Sequence, residues 1–322
     1  MPCEMVNRNE FVSAAFPDGT FFHNYFDLEK LQAHLNELSP ADAYVIDEYI
    51  NGLKSFVTDL DLLGINYFGS FREKLSMLPF YIVRMKYFRY TLGSFAEKFK
   101  HPYLRRAFPL IRHSVPEIPL LAYLAEHTCY TNGDAGWPRG GGTTLARNMA
   151  ARYLELGGTI HYKNEVVKIL TENHRACGIE LKDSTKFNAD FVVSNADGRK
   201  TILQMLDGQY MNKKIAKYCK PNPIDKDVPQ SVQVYLGVKR DLSSYPSSLI
   251  ILLEKPEIIG GHECDHLNMA IYGFDASMTP AGKGVIKVEF KMKPSYFMEL
   301  YNDKAAYGAE KKQNCRASDN FT

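Results

Sequence analysis

The sequence predicts an α+β or α/β fold built on a mixed β-sheet with a helical insertion. Two observations support this prediction. Strand patterns occur in clusters separated by helical patterns, and strands and helices do not alternate regularly, which argues against a plain parallel sheet. With 45% hydrophobic and 24% charged residues, a chain of 322 residues can bury a sizeable core in about two domains.

The first part of the chain predicts a β-hairpin followed by helices. Residues 11–16 and 20–23 are aromatic and β-branched runs on either side of a Pro-Asp-Gly sequence, which favours a turn. Asp27 is a suitable capping residue for a first helix, and Pro40 suits the first turn of a second one.

Residues 71–112 form a basic segment in which ten basic and two acidic residues alternate with Phe, Tyr, Leu and Met. Basic amphipathic helices with aromatic residues are typical of proteins that lie on anionic membrane surfaces. The alternative is a solvated basic face over an ordinary core. The whole chain carries a net charge of only +2, so it is not a general polyanion binder and no nucleic-acid partner is expected.

A glycine-rich bend, Gly140, Gly141 and Gly142, begins the next helix. Glycines allow the backbone to approach a ligand closely, and a helix start offers free N–H groups to an anion. The alternative is a flexible turn. Trp137, the only tryptophan, and Arg139 lie beside the bend, where they could line a site for a planar or apolar ligand or simply cover its rim.

Strand patterns follow this helix and occur again in the last third of the chain. The first group predicts a small antiparallel sheet whose last strand, FVVSN, is buried. The strands of this group are predicted at 159–162, 166–170, 176–181 and 187–194. The later strands are predicted at 231–239, 249–253, 269–274 and 284–290, with a helical segment at 298–308.

The tract with His262, Cys264 and His266 contains residue types that bind metals. It offers no evident fourth ligand and follows two glycines, so we interpret it as a polar loop and predict no metal site. No nucleophile elbow of the form Gly-x-Ser-x-Gly occurs, and the catalytic residues stay unknown. The six cysteines are scattered, which indicates reduced thiols in a reducing compartment, and we predict a cytoplasmic protein.

A resemblance to a known family rests on the tract GWPRGGGTTLARNMAARYLELGGTIHYKNEVVKI, followed by a strand ending SNAD. This combination resembles the FAD-dependent phytoene desaturase and carotenoid oxidoreductase family of amine-oxidase-like flavoproteins. Two other stretches, FPDGTFFHNYFDLEKLQAHLNELSPAD and FDASMTPAGKGVIKVEF, are similar to its substrate-domain segments. The resemblance implies that a bound FAD removes or adds hydrogens across carbon–carbon bonds of an apolar, isoprenoid-like substrate.

The resemblance also implies positions for the site residues. Val166 corresponds to a strand residue against the FAD adenine, and Asn195, Ala196 and Asp197 correspond to the turn near the dinucleotide-binding part. The glycine-rich bend would lie towards the flavin. The positions implied for cofactor binding in the bend are Gly140, Gly141 and Gly142, and those implied for lining the substrate are Trp137, Pro138 and Arg139. The basic segment suits an enzyme that collects its substrate from a membrane, as a peripheral protein.

The family pattern also includes a first strand and helix with a glycine fingerprint and a last flavin-contacting segment, and neither is recognisable here. We therefore expect a partial FAD-binding domain, an internal fragment or truncated product, and weak or absent FAD binding by this chain alone. One alternative is a non-catalytic fragment that binds an apolar ligand or a partner. Another is an amine-oxidase-like flavoenzyme acting on amines.

The resemblance gives a division of the chain into functional segments. The predicted segments are 1–26, a substrate-domain hairpin; 27–132, the helical, basic part of the substrate domain; 133–206, the middle segment of the FAD-binding domain; 207–312, the substrate-domain helices and sheet; and 313–322, a disordered tail.

Overall fold

The computed structural model of the chain describes residues 4–57, 85–112, 114–219, 230–259 and 262–319. The chain divides into two units, which we describe separately. The first unit contains residues 1–148 and 229–322, and the second contains residues 149–228.

The elements are numbered in chain order. The strands β1 to β11 are Met5–Val6, Glu10–Ala15, Phe21–Tyr25, Trp137–Pro138, Val166–Glu172, Arg175–Leu181, Lys186–Asn188, Gln230–Val238, Ser248–Ile259, His262–Ile271 and Gly284–Met292. The helices α1 to α10 are Leu28–Leu38, Ala43–Val57, Leu92–Ala96, Pro102–Ala107, Leu120–Thr131, Gly141–Glu155, Gly198–Lys200, Lys213–Cys219, Pro294–Asn302 and Lys304–Asp319. Short 3₁₀ turns cover Pro40–Asp42 and Phe108–Leu110, and a π-helical turn covers Thr201–Met205.

A six-stranded sheet organises the first unit, with the strand order β3-β2-β9-β10-β11-β8. The pair β2–β9 is parallel, and the other pairs are antiparallel. This architecture confirms the predicted mixed sheet with helices. The predicted hairpin forms β2 and β3, and the later strand predictions correspond to β8, β9, β10 and β11. Two of these strands are longer than predicted: β9 continues to Ile259, and β10 already begins at His262.

Helices α1 to α5 of the first unit pack their apolar faces on the end of this sheet that contains β3, β2 and β9. The side chain of Asp27 accepts hydrogen bonds from the N–H groups of Glu29 and Lys30, both at 3.0 Å, so α1 begins where the sequence predicts. The buried side chains Leu31 of α1 and Tyr49 of α2 then join a core with residues of β2, β3 and β9. Fully burying side chains of this size stabilises a fold by about 1.5–3 kcal/mol each.

Two strand predictions in the second unit are wrong. Residues 159–162 form no strand, and FVVSN is neither paired nor buried: Phe191 is 83% exposed and Val193 is 92% exposed. The three-stranded sheet β5-β6-β7 ends at Asn188. An apolar, β-branched run favours a strand, but a strand also needs a neighbour for its backbone groups. Within the described residues, FVVSN pairs with no neighbouring strand.

Other corrections concern the second half of the first unit. The tract at 262–266 is not a loop but the start of β10, because its backbone pairs with the end of β9 from His262 opposite Ile259. The tail predicted as disordered from 313 is helical as far as Asp319, in α10, whose Ala, Lys and Glu residues favour a helix. The helical segment at 298–308 is two helices, and Asp303 caps the second of them. Of the basic segment, residues 71–84 lie outside the described ranges.

Candidate functional site

An apolar groove of about 380 Å³ lies in the second unit. Strands β5 and β6 form its floor, and the extended chain after β7 forms one wall. Gly178 of β6 makes this arrangement possible, because a Cβ there would lie 2.2 Å from the backbone oxygen of Phe187. The groove is lined by Val166, Ile169, Ile179, Phe187, Ala189, Phe191, Val192, Val193, Ser194, Asn195, Ala196 and Met205.

Three of the predicted cofactor residues, Val166, Asn195 and Ala196, line this groove together. Asp197 does not line it, because its carboxylate accepts a hydrogen bond from the N–H of Lys200 at 2.8 Å and caps α7. An apolar floor beside an extended backbone outside the β-ladders suits a planar heterocycle, which needs a surface to stack on and polar groups at its edge. The groove residues therefore fit part of a dinucleotide such as FAD.

The glycine-rich bend belongs to the first unit, where the left-handed φ angles of Gly140 (77°) and Gly141 (74°) require glycine. The N–H of Gly140 donates to the carboxylate of Asp275 at 2.7 Å. That N–H is therefore not available to a phosphate. Arg139 forms two 2.7 Å hydrogen bonds with the carboxylate of Glu4, and its guanidinium lies 3.8 Å from Asp275.

Asp275 is a buried carboxylate that holds the bend in place. It also accepts hydrogen bonds from the N–H of Ser277 at 3.0 Å and from the Ser277 hydroxyl at 2.6 Å. Burial raises the pKa of Asp275, but the hydrogen bonds from Ser277 and Gly140 and the charge of Arg139 outweigh this effect, so its pKa is lowered. The carboxylate is thus charged and fully engaged, and it fastens the bend to the loop after β10.

A second cavity, the sheet cavity, lies in the first unit and has a volume of about 230 Å³. Trp137 is the predicted substrate-lining residue on its wall, and its ring contacts Tyr272 and Phe274 with centroid distances of 6.0 and 5.6 Å. The neighbouring Pro138 pairs with Met5 in a two-stranded sheet instead. The cavity is lined by Arg8, Phe11, Val12, Leu110, Ile111, Arg112, Glu126, Tyr130, Trp137, Ser247, Ser248, Ile250, Asn268, Met269, Ala270, Tyr272, Phe274, Lys287 and Glu289.

The charged lining of the sheet cavity was missed by the sequence reasoning. Arg8, Arg112 and Lys287 are far apart in the chain, and each is an ordinary basic residue in its local sequence. The alternation of residues along β11 was the one sequence pattern that could have indicated part of this charged lining. Lys287 and Glu289 alternate with the buried Ile286, Val288 and Phe290 along β11, so both charged side chains point to the opposite face of the sheet.

His266 of the histidine tract takes part in a chain of hydrogen-bonded side chains. His266 lies 2.7 Å from the carboxylate of Asp265 and 2.9 Å from the hydroxyl of Ser114. This order of groups is that of a serine hydrolase triad. However, the N–H groups of Ser114 and Val115 donate to Leu110 and Arg112, so neither is free to stabilise an oxyanion. In the described part of the chain, no three His, Cys, Asp or Glu residues are placed to hold a metal ion.

Comparisons with known proteins identify the family. The model of the flavin containing amine oxidoreductase family matches residues 6–281. This chain belongs to that family. The family predicted from the residues around the glycine bend is thereby confirmed, and it is a family of flavin-containing enzymes.

Curated relatives of the chain include enzymes of carotenoid metabolism. The chain is 24% identical over 209 residues to a lycopene-forming phytoene desaturase of Pantoea ananas, covering 63% of this chain and 42% of that protein. It is 27% identical over 110 residues to the chloroplastic prolycopene isomerase of Arabidopsis thaliana, covering 34% of this chain and 18% of that protein. The chain therefore spans less than half the length of these relatives.

A solved structure supports the fold. An oxidoreductase from Methanosarcina mazei superposes with a TM-score of 0.52 at 17% identity, over 97% of this chain and 67% of that one. At this level of identity the likeness concerns the fold alone. Among the helices of the described ranges, none is both long enough and apolar enough to cross a bilayer.

Proposed function

We propose that this chain is part of an FAD-dependent oxidoreductase that removes or adds hydrogens across carbon–carbon bonds of an apolar, isoprenoid-like substrate. The observation that carries the proposal is the groove of the second unit, which brings Val166, Asn195 and Ala196 to one surface within the part of the chain matched by the flavoprotein family. The carotenoid desaturases among the relatives support the class of substrate.

The chain's own residues would bind and orient, and the flavin, when bound, would accept or donate the hydrogens. In the second unit, Val166 and Ile169 offer a stacking surface, and the backbone of residues 194–196 offers polar groups at its edge. In the first unit, the sheet cavity offers apolar side chains, with Phe11, Ile250 and Met269 among them. These residues position ligands, and no acid–base role is assigned to them.

The incompleteness of the FAD site is a further part of the proposal. Phe191 and Val193 expose 83% and 92% of their surfaces, and apolar side chains on a strand-like backbone are normally covered in a folded domain. We propose that another part of an FAD-binding domain covers them in the active enzyme. FAD affinity of this chain alone should then be low, since one wall of the site holds only part of the cofactor.

A titration with FAD tests the groove directly. Because binding is expected to be weak, the measurement is the shift of backbone amide NMR signals at millimolar FAD. We expect the largest shifts at Val166, Asn195 and Ala196, and loss of these shifts in Val166→Glu. The control is Val167→Glu, which makes the same change at the adjacent, outward-facing residue, 39% exposed and outside the groove lining. Shifts that avoid the groove, or that are equal in both variants, would contradict the proposed site.

A membrane-contacting patch is proposed at residues 85–89 of the first unit. Met85 and Phe88 are 63% and 64% exposed, and the exposed Lys86 and Arg89 accompany them. Apolar side chains flanked by cations suit an anionic lipid surface. Lys86 and Arg89 lie over the rings of Tyr87 and Tyr90. Four other cations of the basic segment bind carboxylates or backbone carbonyl oxygens instead: Lys98 pairs with Glu48, Arg105 donates to Phe99, Arg106 donates to Leu253, and Arg112 pairs with Glu126.

Reversing both charges of this patch is expected to reduce binding to anionic vesicles. The variant is Lys86→Glu with Arg89→Glu, and each lost cation should weaken binding by about 1 kcal/mol. Sedimentation with phosphatidylserine-containing liposomes measures the effect. The control, Lys239→Glu with Lys283→Glu, makes a matched charge change at two exposed residues elsewhere in the unit. If both proteins pellet equally, the patch does not contact the membrane.

A further inference from the structure

A serine, a histidine and an aspartate of the first unit are joined by hydrogen bonds in the order of a catalytic triad. Nε2 of His266 lies 2.9 Å from the hydroxyl of Ser114, and Nδ1 of His266 lies 2.7 Å from the carboxylate of Asp265. A carboxylate beside Nδ1 keeps the proton of a neutral imidazole on that nitrogen, so the lone pair of Nε2 faces the hydroxyl. His266 is therefore placed to accept the proton of Ser114.

Asn268 orients the hydroxyl of Ser114 towards His266. The amide nitrogen of Asn268 donates to this hydroxyl at 2.8 Å, and the amide oxygen lies 3.1 Å from it. A hydroxyl has one proton to donate. Since the imidazole at 2.9 Å is the nearer of its two acceptors, the proton of Ser114 points to His266 while Asn268 donates to the oxygen.

The backbone is irregular on both sides of this contact. Ser114 has a φ of 50°, in the left-handed region that residues other than glycine rarely adopt. The pairing of β10 with β9 changes register between Cys264 and His266. This change interrupts the alternation that would place the side chains of Asp265 and His266 on opposite faces of the sheet. Strained residues and strand irregularities are common at functional sites, and here two of them adjoin one group of side chains.

Side chains supply the donors that the backbone of this segment does not offer to an oxyanion. Nζ of Lys291 donates to the carbonyl oxygen of Ser114 at 2.9 Å, so a cation lies beside this residue. An ammonium carries three N–H groups, and this bond uses one of them. Side-chain amides and cations can stabilise a developing oxyanion in place of backbone N–H groups. Lys291 and the amide nitrogen of Asn268 are the two donors next to Ser114.

We infer that Ser114, His266 and Asp265 form a site that hydrolyses short acyl esters, an activity separate from the flavin chemistry. Oγ of Ser114 attacks the ester carbonyl carbon while Nε2 of His266 accepts the hydroxyl proton. Lys291 and Asn268 stabilise the negative oxygen that forms. The bond from the carbonyl carbon to the alcohol oxygen then breaks, and the alcohol leaves with the proton held by His266. A water molecule, deprotonated by His266, attacks the acyl-serine and releases the carboxylic acid, and Ser114 regains its proton.

The surroundings of the site favour a small acyl group. Ser114 is 9% exposed and the side chain of His266 is 20% exposed, so the hydroxyl is reached through a narrow opening. Asn268 also lines the sheet cavity, which therefore adjoins the site. An acetyl group suits a narrow opening better than a long acyl chain does.

Hydrolysis of p-nitrophenyl acetate by the full chain, measured without flavin, tests the inference. The variant is Ser114→Gly, because glycine accepts the left-handed φ without strain and the fold is retained. We expect kcat/KM to fall about a hundredfold. The control, Ser244→Gly, makes the same change at an exposed serine and should leave the rate unchanged. Circular dichroism establishes that each variant is folded.

Replacement of the other two residues separates the base from the group that positions it. His266→Gln should lower kcat/KM about a hundredfold, and His161→Gln, at an exposed histidine, should not. Asp265→Asn should lower kcat only about tenfold and leave KM unchanged, because the side chain of Asp265 is 57% exposed and water weakens its hold on the imidazole. A merely structural change at Asp265 would alter KM as well.

A covalent label identifies the nucleophile. Diisopropyl fluorophosphate forms a phosphoester with an activated serine and releases fluoride, and mass spectrometry of peptides locates the product. We expect the label at Ser114 in the unaltered chain and its absence in His266→Gln. A label at another serine, hydrolysis that persists in Ser114→Gly, or no hydrolysis by the unaltered chain would each overturn the inference. None of these outcomes bears on the proposed flavin chemistry, because the assays contain no flavin and alter no residue of the groove.

Discussion

Replacing Asp275 with alanine is expected to lower the free energy of unfolding by about 3 kcal/mol. The carboxylate is fully buried and accepts hydrogen bonds from Gly140 and Ser277, and Arg139 lies 3.8 Å away. Its removal leaves buried donors without an acceptor, and each such group costs about 1–3 kcal/mol. Urea unfolding followed by circular dichroism measures the loss. The glycine bend should also lose its fixed conformation, seen as faster amide hydrogen exchange at Gly140.

Asp241 provides the matched control for this prediction. It makes the same local turn as Asp275, accepting from the N–H of Ser243 at 2.9 Å, but it is exposed. Asp241→Ala should therefore cost about 1 kcal/mol or less, since water can replace the lost acceptor. Asp275→Asn, which retains one acceptor oxygen, should lie between the two. Equal stabilities of Asp275→Ala and Asp241→Ala would show that the buried carboxylate does not fasten the bend.

The glycine bend illustrates what the sequence could and could not predict. Three consecutive glycines before an amphipathic helix gave the position of the bend, because left-handed backbone is a local property. The group that occupies the Gly140 N–H is Asp275, 135 residues away in the chain. No local pattern connects the two. The Gly140 N–H, which the sequence predicts to be available to an anion, already donates to the carboxylate of Asp275.

The strand predictions show the same limit. Strands β2, β3, β8 and β11 were predicted because apolar alternation and turn residues are local, and a neighbour for each was present. FVVSN has an equally strong local pattern, yet it is exposed and unpaired within the described residues, because pairing depends on a second strand. The charged lining of the sheet cavity also depends on distant parts of the chain, because Arg8, Arg112 and Lys287 come together only after folding.

The stability of the first unit is expected to fall as the pH is lowered from about 6.5 towards 3, because of His127. This side chain is fully buried in α5, with its ring stacked on Phe11 at 5.9 Å and edge-on to Phe26 and Tyr123. Burial lowers the pKa of His127 to about 3, and a hydrogen bond with the Tyr25 backbone offsets only part of this effect. The unfolded chain has the ordinary histidine pKa of about 6.5.

The sign follows from which state binds the proton. Between these two pKa values the unfolded chain binds a proton that the folded chain does not, so stability is complete above pH 6.5 and is lost as the pH falls. The limiting loss is on the order of 5 kcal/mol. His127→Leu should remove this part of the pH dependence, measured by urea unfolding at several pH values between about 7 and 4. His161→Leu, at an exposed histidine, should keep it. Carboxylates titrate in both variants, so the difference between the two profiles of unfolding free energy against pH isolates the contribution of His127. Identical profiles would mean that the buried imidazole accepts its proton without unfolding the helices around it.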